Sequence, residues 1–151
     1  MNHLRSLAIA ALALIAGASM SIAQTAPAAP KHKVAIQVND NNAATMNLAL
    51  NNAMNIINYY KKKGETVDVA IVTFGPGLHM FREDTSPVKQ RVAQMALENQ
   101  NLSFHACANT QENMQKAEGK QISLISEAKM TPSGVIRLME LQEAGYTYLR
   151  P

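Results

Sequence analysis

The chain has 151 residues, 14 basic and 11 acidic, with one cysteine, nine methionines and no tryptophan. That length suits one domain. A net charge of only +3 with 5% aromatic residues argues against a basic, base-stacking nucleic-acid surface, and a single cysteine excludes an internal disulfide and a cysteine-built zinc site.

Residues 1–23 read as a secretory signal peptide. Arg5 supplies a positive start, "LAIAALALIAGA" an apolar centre, and "SIA" small residues before cleavage at Ala23. The apolar run is too short for a comfortable membrane span. The expected location is therefore the periplasm, with no membrane association after cleavage. Residues 24–32, rich in Ala and Pro, read as a flexible leader, and 33–151 as the folded domain. An exported chain meets an oxidising compartment, so its lone cysteine is a free thiol, an intermolecular bond or a modified sulfur.

"KVAIQVN" (33–39) predicts a first strand, and the polar residues 40–42 offer a helix cap. Met46, Ala49, Leu50, Ala53, Met54, Ile57 and Tyr60 then recur at steps of three and four, predicting a helix over 43–63. Lys61, Lys62 and Lys63 followed by Gly64 suit a helix C-terminus. "TVDVAIVTF" (66–74) is apolar enough for a strand buried on both faces. "GPGLHMF" reads as a loop; it lacks the full pattern of a phosphate-binding loop. Ser86 and Pro87 predict a helix start, with Ser as the cap.

"LSFHAC" (102–107) is the third strand. Asn109 with Glu112 three residues later resembles a capping box opening a helix that Gly119 ends. A short strand over 127–131, a helix opened by Pro132 or Ser133 and bearing Val135, Ile136, Leu138, Met139 and Leu141, and a final strand over 146–150 complete the pattern. Strand–helix alternation predicts an α/β fold: a mainly parallel five-stranded sheet with helices on both faces. Ligands in such folds collect at the carboxyl ends of strands. That rule selects the loops 39–42, 75–79 and 107–110, and with them Asn39, Asp40, Gly75, His79 and Asn109 as candidate binding residues.

Cys107 ends a strand just before a helix start, where partial positive charge lowers a thiol pKa and favours the nucleophilic thiolate. A buried structural cysteine is the alternative. His105 lies two residues earlier on the same strand face and can assist Cys107 or simply be satisfied within the sheet. Cys107, His105, His79 and Met80 also form a soft ligand set suited to Cu(I), although most methionines fall at helix-core spacing.

Four stretches, "KVAIQVND", "VTFGPGLHMF", "FHACANTQENMQKAEG" and "MTPSGVIRLMELQEAGYTYLRP", together resemble the DsrE/DsrF-like family, which includes TusD-like sulfur-relay proteins, and in particular an exported subgroup of it. The resemblance implies a compact three-layer α/β/α sandwich assembled as trimers or hexamers. It also implies that Cys107, in the place of the relay cysteine, carries a persulfide. The export signal separates this chain from cytoplasmic relay partners. The expected function is thus periplasmic sulfur binding or transfer, as a carrier working with a sulfur donor or acceptor protein and without a cofactor. A non-catalytic oligomeric binding module is the alternative.

Overall fold

The computed structural model describes residues 32–151; the expected signal peptide and all but the last residue of the expected leader lie outside them. Five strands alternate with four α-helices: β1 His32–Val38, α1 Ala43–Lys62, β2 Val67–Thr73, α2 Lys89–Glu98, β3 Leu102–Cys107, α3 Ala108–Glu118, β4 Ala128–Thr131, α4 Gly134–Glu143 and β5 Thr147–Leu149. The expected loop "GPGLHMF" is instead a 3₁₀ segment, Gly75–Phe81, which buries Leu78, Met80 and Phe81. Apolar residues at three-residue spacing favour this tighter helix once the core can receive them.

The sheet is wholly parallel, in the order β4-β3-β2-β1-β5. Chain direction and strand order together explain the two faces. Moving from β1 to β4, the chain steps outward in one direction, and α1, α2 and α3 cover one face. α4 then carries it back across the sheet to β5, over the other face. Val34, Ile36, Val38, Val69, Ile71, Leu102, Phe104 and Ala106 pack on the first face with Met46, Leu50, Val92 and the 3₁₀ segment. The second face holds a much smaller core, in which Ala35, Ala70 and Val72 meet Leu138 and Leu141 of α4. β1, β2 and β3 therefore bury both faces, as a central parallel strand must.

Local chemistry sets the element ends. Asn42 caps α1, its Oδ1 accepting from the N–H groups of Ala44 (2.8 Å) and Thr45 (3.2 Å). Gly119, at φ 63°, closes α3 in the left-handed region. Two helix starts differ from expectation. Ser86 does not cap α2: its hydroxyl donates to the Met80 carbonyl and accepts from Val88 N–H, so 86–88 form a turn and the helix begins at Lys89. Asn109 does not cap α3 either. It lies inside the first turn, and Cys107 itself occupies the cap position.

Candidate functional site

The two faces part company between β3 and β4. The loop after β3 leads to α3 on the first face, while the loop after β4 leads to α4 on the second. This reversal is the point where open parallel sheets form a crevice at their carboxyl ends. Cys107 pairs in register with Thr131 there, so it ends β3 at the switch point.

Two helix N-termini converge on its sulfur. α3 begins at the next residue, and Gly134, the first residue of α4, brings its N–H alongside. A β-carbon on Gly134 would lie 2.9 Å from the Phe74 side chain and 3.1 Å from the Thr73 carbonyl oxygen, so only glycine allows this approach. The Cys107 sulfur makes no side-chain capping hydrogen bond to α3, and thiol sulfur is a weak acceptor. Burial pushes its pKa up. The Thr110 hydroxyl and the backbone N–H groups of Gly134, Thr110 and Asn109 more than offset this, and the thiol lies below its ordinary value. The Asn109 N–H is shared with the Pro132 carbonyl at 3.3 Å, which ties α3 to the β4–α4 loop.

Cys107 is 4% exposed. Beside it a hollow of about 430 Å³ is lined by Ala108, Asn109, Glu112, Met130, Thr131 and Pro132. A cleft of about 490 Å³ lies at the opposite end of the sheet, bordered by Ile57, Lys61, Thr66 and Asn99, and none of the expected site residues lines it.

The loops selected from sequence adjoin one another. Gly75 donates its N–H to Thr110 Oγ1 at 3.0 Å. A β-carbon on Gly77 would lie 2.2 Å from the Val38 carbonyl oxygen and 2.8 Å from the Asn39 α-carbon, which locks the 3₁₀ segment against the end of β1. Asn39 is thus at the rim. Asp40 is exposed and accepts from Asn42 N–H at 3.2 Å.

The histidines face elsewhere. His105 shares the Cys107 face, but its Nε2 lies 3.1 Å from Ser103 Oγ, away from the thiol. Burial, with Arg137 and Lys129 nearby, lowers its pKa to about 4, so it is neutral at physiological pH. His79 Nδ1 lies 2.7 Å from Thr85 Oγ1. Its charged neighbours are Arg82, Glu118 and Asp84, at the far end of α3 from Cys107. Met80 is fully buried in the first-face core. The four Cu(I) candidates are therefore not brought together. Among the described residues no group of three His, Cys, Asp or Glu side chains could hold a metal ion.

Gly134 was not singled out in the sequence; Thr110 closes the selected loop 107–110 and Pro132 was read only as a helix start, neither with a role at the thiol. An invisible feature, the sheet order, places α4 at the thiol; the only trace in the chain is Gly134 directly after the cap residue Ser133.

Comparison with known proteins agrees with this architecture. The sequence model of the DsrE/DsrF-like family matches residues 32–151. A solved structure similar to this chain is that of a protein of unknown function, MTH1491, from Methanobacterium thermoautotrophicum. It superposes with a TM-score of 0.67 at 24% identity, covering 80% of this chain and 99% of that one. No curated protein matches.

Proposed function

The chain belongs to the DsrE/DsrF-like family, and on that premise we propose that it is a sulfur carrier of the periplasm, holding sulfane sulfur on Cys107 as a persulfide. The observation that carries this reading is the convergence of the α3 and α4 N-termini on the one thiol of the chain, at the switch point of the sheet. N–H groups that favour a thiolate also favour the terminal anion of a persulfide.

The step balances without an added oxidant. The Cys107 thiolate attacks the outer sulfur of a persulfide or polysulfide donor. A new Sγ–S bond forms, the donor S–S bond breaks, and the donor leaves as a thiolate or, from a polysulfide, as a polysulfide anion shorter by one sulfur. Passing the sulfur on is the same exchange with an acceptor thiol as attacker. Neither direction needs a cofactor, and a partner protein would serve as donor or acceptor.

Mass spectrometry after polysulfide treatment tests the reading. We expect one added sulfur atom on Cys107, removed by a small thiol and absent in Cys107→Ser. An unmodified Cys107 under these conditions overturns it. The low exposure of Cys107 favours a second reading, a non-catalytic binding module in which the thiol is packing. In that case Cys107→Ser keeps every ligand and phenotype of the parent chain.

A further inference from the structure

Among the described residues, one side-chain nitrogen or oxygen is fully buried without a hydrogen-bond partner: Arg137 Nε. Buried polar groups nearly always have a partner, so an exception calls for a physical reason. Nη1 of the same guanidinium donates to Glu140 Oε2 at 3.1 Å, which leaves the Nε–Nη2 edge without a partner among the described residues. Arg82 shows what that edge does in this chain. Its Nε and Nη2 grip the two oxygens of Asp84, at 2.8 Å each, while its Nη1 goes to Glu118. Two parallel N–H donors facing two oxygens are the guanidinium's strongest way of holding an oxyanion.

The fold places this edge beside a second cation. Ala70 and Val72 pack on the second face of the sheet. Their register partners in β3, Ser103 and His105, point the same way, and so does Lys129, the partner of His105 in β4. α4 covers β1 and β2 through Leu138 and Leu141, so Ser103, His105 and Lys129 lie alongside it. The helix runs antiparallel to the strands, and its right-handed turn carries Arg137 off the Gly134–Leu138–Leu141 stripe toward β3. After burial, the charges that lower the His105 pKa are those of Arg137 and then Lys129, in keeping with two cations approaching one ring from two elements. The nearby acids are engaged elsewhere: Glu140 holds Nη1, and Asp68 accepts the Tyr146 hydroxyl. Lys129 is exposed and pairs with no acid among the described residues.

We propose that the strip of the second face between α4 and β4 is a binding site for a small oxyanion, held side-on by the Nε–Nη2 edge of Arg137 and by Lys129 Nζ. Arg137 is only half-buried, so a small swing of its side chain presents that edge. Cys107 follows His105 on the same face, about 7 Å further along β3. The oxyanion would therefore be the charged end of a small sulfur donor to that thiol. This use rests on the sulfur-carrier reading; the site itself does not.

Titration of the purified chain with sodium sulfate, against sodium chloride at equal ionic strength, tests the site. The Arg137 Nε–H signal of the ¹⁵N-labelled chain should move saturably with sulfate and not with chloride. By calorimetry, sulfate binding should weaken about tenfold in Arg137→Gln and about threefold in Lys129→Gln, with Lys62→Gln unchanged. If the Arg137→Gln chain does not fold, Lys129→Gln and the Arg137 signal decide. A signal that sulfate and chloride move alike, or a sulfate affinity unchanged in either folded variant, overturns the proposal. Sulfate binding with no sulfur adduct on Cys107 would defeat the carrier reading and leave this one standing. A sulfur adduct with no sulfate binding would do the reverse.

Discussion

Individual residues at the sheet's second face carry the sharpest pH and packing consequences. His105 ionises near pH 6.5 when unfolded and at about 4 when folded. As pH falls from about 6.5, the unfolded chain takes up a proton that the folded chain refuses. Stability present at neutral pH is therefore lost across the window from about 6.5 to about 4, by about 3 kcal/mol in all. Urea unfolding at pH 7, 5.5 and 4 should show this slope, and His105→Asn should flatten it. An equal slope in the variant would mean that another group controls acid sensitivity. Gly134 makes a different demand. Gly134→Ala must push α4 away from Phe74 and Thr73, at a cost of about 1–3 kcal/mol. It should also raise the Cys107 thiol pKa, because the α4 N–H withdraws from the sulfur; a variant that is destabilised but has a normal thiol pKa would detach α4 from the site. Cys107 was legible in the sequence because a strand followed by a helix start locates a thiol. Gly134 was not, since its neighbour Phe74 lies sixty residues earlier and meets it only through the fold.

At the level of elements, apolar runs and helical spacing located every strand and α-helix, and local hydrogen bonding decided where two of the helices begin. The 3₁₀ segment shows the limit most clearly. "GPGLHMF" reads as a turn because Gly and Pro dominate its start, yet its later residues fill the core and Arg82 follows directly. The Arg82 side chain is 1% exposed and bonds both oxygens of Asp84, at 2.8 Å each, along with both oxygens of Glu118 at the end of α3. It pins the 3₁₀ segment to α3, one end of which holds the thiol. No local pattern announces it, because its partners come from two separate stretches. Hydrogen bonds from Arg82 hold Glu118 down at about 2 and Asp84 well below the ordinary carboxylate range. A carboxylate with a lowered folded pKa stabilises the fold above its unfolded pKa, near 4.5, and that contribution disappears as pH falls toward about 2. Lys120 also pairs with Asp84 at 3.0 Å and with Glu118 at 3.4 Å. Arg82→Met should therefore reduce the acid-unfolding slope below pH 4.5, and Arg82→Met with Lys120→Met should remove this cluster's share of it. An undiminished slope in the double variant would assign it to other carboxylates.

Across the whole molecule, strand order is what the sequence withheld. Alternation predicts a parallel sheet with helices on both faces, but nothing local says that three helices share one face and α4 alone crosses the other. That asymmetry leaves α4 apolar on two sides. Gly134, Leu138 and Leu141 face the sheet, while Val135, Ile136 and Met139 remain 51%, 52% and 51% exposed on its outer arc. β5 beside it leaves Tyr148 and Leu149 in solvent as well, on an edge strand of three residues. Contiguous exposed apolar surface marks an association site. Exposed apolar side chains on both α4 and the neighbouring edge strand fit a second copy of this chain, which we propose as the occupant. Self-association there would cover the outer arc of the same helix whose N-terminus meets Cys107, so assembly and thiol chemistry would share one element. Sedimentation of the purified chain should give an assembly larger than a monomer. Ile136→Glu with Met139→Glu should reduce it to monomers with the fold retained by circular dichroism, since neither side chain enters the core. A parent chain that sediments as a monomer, or a double variant that still assembles, would show that α4 is not the contact.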